Sequence, residues 1–260
     1  MKIKVFEAFC GYGSQAMALE RIKNDVVDFD YEVVGVSDID KNALNAYATI
    51  HGHCPNFGDI SSINWQQVPD FDLFTYSFPC TSISYIGKNN GFTKGSGTAS
   101  SLLWECQRAI ETKKPKYLLM ENVKSLVGKK YIEEFRQWIN ILESYGYKNY
   151  YKVLDAADYN TPQHRERVFC LGFKKKTKFN FPAPIDLEYI MYDFLEDYVQ
   201  TKYFLKEKGI KFVTSHKNRD KSYTQINGDI QLCQKRNQQF NWHGDFVYHP
   251  VAEGEVFEEG

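Results

Sequence analysis

Cys80 ends an apolar stretch in Asp72-Leu73-Phe74-Thr75-Tyr76-Ser77-Phe78-Pro79-Cys80-Thr81-Ser82-Ile83-Ser84. A thiol at the end of a strand projects into a ligand crevice, where its thiolate can act as a nucleophile. Any one cysteine is more often a buried, inert side chain, so its company decides. Glu121 closes a second apolar run, Leu118-Leu119-Met120-Glu121-Asn122-Val123. A carboxylate there is costly unless it is paired or functional. Then Gln163-His164-Arg165-Glu166-Arg167 leads into a third apolar run. Alternation lets Arg165 and Arg167 face one side of an extended segment; the plainer reading is an exposed charged edge.

A different chemistry stands near the start. Phe9-Cys10-Gly11-Tyr12-Gly13-Ser14-Gln15-Ala16 follows the first apolar run. Gly11 and Gly13 permit a tight turn and close approach of backbone to a cofactor. Asp38, with Asp40 two residues on, follows the second run and can accept from ribose hydroxyls. Gly11-x-Gly13-x-x-Ala16 also fits a loose dinucleotide fingerprint, so these residues say adenosine-type cofactor without saying which. Asp59, in Gly58-Asp59-Ile60, can accept from an adenine amino group, although Gly-Asp is a common turn.

The elements that must position these groups alternate. Apolar runs predict strands at Lys2–Phe9, Tyr31–Ser37, Asp72–Ser77, Lys116–Met120, Tyr151–Ala156 and Val168–Phe173. Helical patterns lie between, at Gln15–Lys23, Lys41–His51, Ser101–Thr112 and Ile132–Tyr145. Such alternation reads as a doubly wound, Rossmann-like α/β sheet, with ligands at the carboxyl ends of its strands. Near Phe181-Pro182-Ala183-Pro184 the pattern breaks. The expected organisation is a catalytic domain over 1–180 and a small appendage over 181–260, opening with helical stretches at Leu187–Tyr198 and Lys202–Gly209.

Composition narrows the class. At 260 residues, 43% hydrophobic and 25% charged, the chain is of ordinary globular type. No apolar run approaches the roughly 20 residues that span a bilayer, and strand-like sequence begins directly at Met1-Lys2-Ile3-Lys4-Val5. A cytoplasmic protein is expected, with no membrane partner. Six cysteines without paired spacing argue against a disulfide framework. His51-Gly52-His53-Cys54 is the nearest approach to a metal cluster. It is too crowded for a zinc site and reads as a polar exit from a helix, so no metal is expected. Net charge is −1, yet between Lys202 and Arg236 nine Lys or Arg face three acids. That stretch can neutralise phosphates or simply be a solvated face.

In their order, Phe9-x-Gly11-x-Gly13, the acid after the second strand, Gly58-Asp59, Pro79-Cys80, Glu121-Asn122-Val123 and Gln163-x-Arg165-x-Arg167 resemble the motifs of the cytosine-C5 DNA methyltransferases. The resemblance runs from about residue 5 to residue 173. It implies S-adenosylmethionine as cofactor and duplex DNA, with the target cytosine flipped out, as substrate. Cys80 would add to C6 of the base and Glu121 would protonate or hydrogen-bond N3. Arg165 would contact the base carbonyl and order Glu121 and Cys80, with Arg167 its neighbour. Pro79, Asn122 and Gln163 fall on the substrate side. Phe9, Gly11 and Gly13 would line the methionine side, Asp38 the ribose, Ile39 the adenine face and Asp59 the adenine amino group, with Leu102 nearby. Residues after 180 resemble the start of a target-recognition region.

Departures are visible too. Glu7 and Ser14 stand where the family usually has Asp and Gly, and Asp38 replaces its usual Glu. The family's last two motifs have no counterpart before Glu258-Glu259-Gly260. The chain is then one half of a split enzyme, a truncated fragment, or a short member that closes its pocket otherwise; a fragment or split subunit is the favoured reading, prokaryotic or phage-encoded and within a restriction-modification setting, weakly active without a second polypeptide. Rival readings are a tRNA cytosine methyltransferase, although no Cys-Phe-Thr segment is present, a remnant that binds cofactor or DNA without turnover, and a nicotinamide-dependent dehydrogenase.

Overall fold

A computed structural model describes residues 2–83, 91–234 and 242–248. Ser84 of the cysteine run, Lys235 and Arg236 of the basic stretch, and Glu258-Glu259-Gly260 lie outside the described residues. The chain divides into two compact units, Met1–Val153 with Arg167–Phe181, and Leu154–Glu166 with Pro182–Gly260. The segment Leu154–Glu166 thus groups with sequence beyond residue 181.

The first unit begins β1 (Lys2–Ala8), α1 (Ser14–Asp25), β2 (Asp30–Ser37), α2 (Lys41–His51), β3 (Leu73–Tyr76), α3 (Leu103–Lys113), β4 (Tyr117–Val123) and α4 (Ile132–Ser144). With β5 (Lys148–Asp155) and β6 (Glu166–Phe173), the six strands form one sheet in the order β2-β1-β3-β4-β6-β5. Strands β2, β1, β3 and β4 run parallel, while β6 is antiparallel to β4. This is the α/β, Rossmann-like sheet expected from the alternation. In β1, Val5, Phe6, Glu7 and Ala8 are all buried, as a central parallel strand covered on both faces requires.

Local signals shape the helices. The Asp40 carboxylate accepts from the backbone N–H groups of Asn42 and Ala43, capping α2, which stops at Gly52 in a positive-φ conformation. Helix α4 buries Phe135, Trp138 and Leu142, an i, i+3, i+7 stripe. That stripe joins a large aromatic core in which Phe6 meets Trp65 at 5.1 Å and Tyr76 meets Trp138 at 6.0 Å between ring centroids.

Register explains why the site collects where it does. Ser37 pairs with Ala8, Ala8 with Tyr76, and Tyr76 with Met120. These four residues make one row across the sheet. The next residues along the chain, Asp38, Phe9, Ser77 and Glu121, open the four segments that carry the motifs.

Three expectations are corrected. The strand expected at Lys116–Met120 continues to Val123. Its parallel partner β3 stops opposite Met120, but β6 extends the ladder by pairing with Glu121, Asn122 and Val123. In place of a helix over Leu187–Tyr198 there is one 3-10 turn, Met191–Phe194, because only Met191 of that stretch is buried. The stretch Lys202–Gly209 divides into a 3-10 turn, Thr201–Tyr203, and the start of α5 (Glu207–Val213). Then follow α6 (His216–Asp220) and a parallel pair, β7 (Thr224–Ile226) and β8 (Gly244–Phe246). The second unit is bound together by the Thr224 hydroxyl donating to the Val213 carbonyl at 3.0 Å. The Met191 N–H donates to Asp229 at 2.7 Å, and Tyr223 stacks on His243 at 4.6 Å.

Candidate active site

Cys80 is half-buried and packs against the aromatic core four residues beyond the end of β3. The loop around it is fastened at almost every peptide. Asn122 donates through Nδ2 to the Phe78 carbonyl at 2.9 Å, and the Ser100 hydroxyl donates to the Pro79 carbonyl at 2.6 Å. Ser100 Oγ accepts in turn from the Ser82 N–H at 3.2 Å. Ser125 donates to the Ile83 carbonyl at 2.7 Å, and Gln15 on α1 donates to the Ser77 hydroxyl at 2.9 Å. The thiol is therefore presented by a loop whose carbonyls are satisfied from three neighbouring elements.

Asn122, expected on the substrate side, is only 3% exposed, and its Oδ1 accepts from the Val123 N–H at 2.9 Å. Both ends of its amide brace backbone, so it holds the cysteine loop. Pro79 presents its carbonyl to Ser100 in the same brace.

Glu121 and Arg167 lie diagonally across the β4–β6 ladder and form an ion pair, Arg167 Nε to Glu121 Oε1, at 3.1 Å. Both side chains are largely shielded, at 24% and 17% exposed. The carboxylate that Arg165 was expected to order is thus held by Arg167. Arg167 lies within β6 in the first unit, whereas Arg165 precedes β6 and groups with the second. There its N–H donates to Asp155 Oδ1 at 2.7 Å, and its guanidinium lies 4.0 Å from Cys233 Sγ. The same Asp155 carboxylate meets His164 at 3.0 Å. Burial raises the pKa of Asp155, but the hydrogen bonds from His164 and from the Arg165 and Ala157 N–H groups outweigh it and leave it lowered. Gln163 donates to the Gln231 side chain at 2.7 Å and bridges two segments of that unit.

On the other side of the first unit, Phe9 adopts a positive φ of 57° and the chain turns sharply through Gly11 and Gly13. The Gly11 N–H donates to Asp38 Oδ2 at 2.9 Å, and the Asp40 N–H donates to Asp38 Oδ1 at 2.9 Å. Each carboxylate oxygen keeps a second lone pair for another donor. A Cβ built on Gly11 would meet nothing within 4 Å, so space adjoins the loop. Ile39, beside Asp38, is 74% exposed, an apolar face available to a planar ring. Asp59 is exposed; hydrogen bonds from the backbone and hydroxyl of Ser61 hold its carboxyl below the ordinary range, so it is an ionised acceptor. Leu102, at the junction of a 3-10 turn and α3, is half-buried against the core. Glycine turn, ribose-height acid, exposed apolar side chain and a further acceptor fit an adenosyl cofactor.

Several supports carried no signal in the sequence. Ser100 and Gln15 reach the cysteine loop from residues far away in the chain. Asn56 accepts from the Asp38 N–H and donates to the Asp38 carbonyl, both at 3.2 Å, fixing the ribose-side acid from a loop.

Sheet, glycine turn, and the thiol and carboxylate at neighbouring strand ends together define an α/β methyltransferase. Residues 3–254 match the model of the C-5 cytosine-specific DNA methylases, and the chain belongs to that family, whose methyl donor is S-adenosylmethionine. It is 40% identical to type II methyltransferase M2.ScrFI of Lactococcus lactis subsp. cremoris over 80% of this chain and 71% of that protein. It is 33% identical to orphan methyltransferase M.SssI of Spiroplasma monobiae over 66% of this chain and 59% of that protein. The chain thus spans about three fifths to seven tenths of these relatives. Its fold also matches the crystal structure of the Dnmt2 methyltransferase of S. pombe, at 20% identity and TM-score 0.73, over 97% of this chain and 78% of that one. The Entamoeba histolytica methyltransferase EhMeth matches at 17% identity and TM-score 0.75, over 96% and 79%.

Proposed function

We propose that this chain methylates C5 of a cytosine flipped out of duplex DNA, through a covalent adduct at Cys80. The observation that carries the reading is the row in which Tyr76 pairs with Met120, so that the cysteine loop and Glu121 leave the same edge of adjacent parallel strands. Carbon 5 of cytosine is a poor nucleophile. Addition of the Cys80 thiolate to C6, with a proton delivered to N3 from Glu121, turns C5 into the nucleophilic end of an enamine. S-adenosylmethionine, when bound, supplies an electrophilic methyl group. Loss of the C5 proton to a base then expels the Cys80 thiolate, and return of the N3 proton to Glu121 leaves neutral 5-methylcytosine. Arg167 orients the Glu121 carboxyl, and Arg165 contacts the base carbonyl. Phe9, Gly11, Gly13, Asp38, Ile39, Asp59 and Leu102 hold the cofactor. The second unit and the basic stretch from Lys202 contribute target recognition and phosphate contacts. Gln163 organises the segment that carries Arg165.

The experiment is a trap. Duplex DNA with 5-fluorocytosine at its target sites, incubated with protein and cofactor, is expected to give a covalent adduct that maps to Cys80 by mass spectrometry. Cys80→Ser should abolish it and lower methyl transfer at least ~1000-fold, with S-adenosylhomocysteine binding retained. An adduct on another residue, or tritium transfer to tRNA but not to duplex DNA, would sink the proposal. Among the described residues no helix is long and apolar enough to cross a membrane; we place the enzyme in the cytoplasm. A second polypeptide that works with this chain is part of this reading.

A further inference from the structure

Glu7 is fully buried in β1, three residues before the Cys10–Ser14 turn, and takes no part in the chemistry above. The Tyr47 hydroxyl of α2 donates to its Oε2 at 2.6 Å. One turn on, His51 packs its ring against Tyr47 at 4.7 Å between centroids. His51 Nε2 lies 3.1 Å from the backbone carbonyl of Tyr12, inside the glycine turn. A carbonyl only accepts, so this ring nitrogen carries the proton and donates. Gly13 sits against both side chains. A Cβ there would come 2.5 Å from His51 Nε2 and 2.7 Å from Tyr47 Cε2, and the residue's φ is 85°. Gly11, two residues earlier, is open where Gly13 is closed. The turn is therefore gripped at Gly11 by Asp38 and at Tyr12 and Gly13 by α2, with its remaining side facing free space.

We infer that Tyr47 and His51 are positioning residues for S-adenosylmethionine, a clamp that holds the Cys10–Ser14 turn in its binding shape. Glu7 anchors the clamp to the sheet through Tyr47. The inference rests on the reading of that turn as the methionine-side wall, and it gives His51, the first residue of His51-Gly52-His53-Cys54, a hydrogen-bonding role. A turn that fluctuates must be ordered when the cofactor binds, so loosening it weakens binding without touching the reacting atoms.

Three measurements on the whole chain test this. Hydrogen exchange without cofactor reports the clamp itself. His51→Ala should speed exchange of the Cys10–Ser14 amides about tenfold, the equivalent of ~1.4 kcal/mol or one hydrogen bond. His51→Gln, which keeps a side-chain N–H, should restore much of the protection. Calorimetry with S-adenosylhomocysteine reports the consequence: His51→Ala and Tyr47→Phe should weaken binding about tenfold. The KM for S-adenosylmethionine should rise in step while kcat on duplex DNA changes less than about twofold. Unchanged exchange in His51→Ala overturns the inference, as does equal impairment by Ala and Gln or a loss confined to kcat. If the unmodified chain fails to bind S-adenosylhomocysteine while His51→Ala still loosens the turn, it is the cofactor reading that fails.

Discussion

Of the six cysteines, Cys10, Cys106 and Cys170 are buried, whereas Cys54, Cys80 and Cys233 are partly open. Burial, with the negative charges of Asp38 and Glu7 adding to it, pushes the Cys10 thiol up to about 12. Burial alone takes Cys170 to about 12, and burial with Glu7 takes Cys54 to about 11. These three hold their protons at pH 8 and are poor nucleophiles. Iodoacetamide at pH 8, read by peptide mass spectrometry, should modify Cys80 and Cys233 well before Cys10 or Cys170; Cys10 reacting as fast as Cys80 would contradict the burial account. Glu7 is the acidic counterpart. Burial raises its carboxyl above the ordinary 4.5, against the lowering effect of the Tyr47 hydrogen bond. The folded chain then holds that proton more tightly than the unfolded one. The resulting stability is fully present below about pH 4.5 and is lost as pH rises through the raised folded value. Glu7→Gln cannot ionise, so its Tm should decline less between pH 4.5 and 8 than that of the unmodified chain; parallel declines would refute the assignment.

At the scale of elements, the cysteine loop depends on its neighbours. The segment after β3 is irregular, so its carbonyls must find partners elsewhere. They find them on β4 through Asn122, on the 3-10 turn before α3 through Ser100, and on the turn after β4 through Ser125. Removing Asn122 leaves the carbonyl of buried Phe78 unsatisfied. Asn122→Ala is therefore expected to destabilise the chain by about 1–3 kcal/mol in urea unfolding. It should also slow formation of the Cys80 adduct more than it weakens cofactor binding. Equal losses in both would mean that the residue supports the sheet generally. The strand ends show the same dependence on neighbours. Periodicity in Leu118-Leu119-Met120 stops at Glu121, because the sequence registers only the change from apolar to charged. The ladder continues because β6, antiparallel and longer than β3, still offers backbone partners as far as Arg167.

For the molecule as a whole, the proposed second polypeptide bears on how active this chain is alone. On the reading that a second polypeptide takes part, the purified chain by itself is expected to transfer methyl groups to duplex DNA slowly, measured as tritium incorporation; rapid labelling by the chain alone would overturn that part of the reading. The alternation of strands and helices, the glycine turn, and the identity of the thiol, the carboxylate and the acids after the strands were legible from residue order. Those are local matters, set by hydrophobic period, turn chemistry and residue type. Folding chose which groups meet. It paired Glu121 with Arg167 while Arg165 fell in the other compact unit, made Asn122 a brace, and brought Tyr47 and His51 against Gly13. The physical reason is register: a row of paired residues across parallel strands fixes which side chains share an edge, and that pairing is a long-range property that no short window of sequence contains.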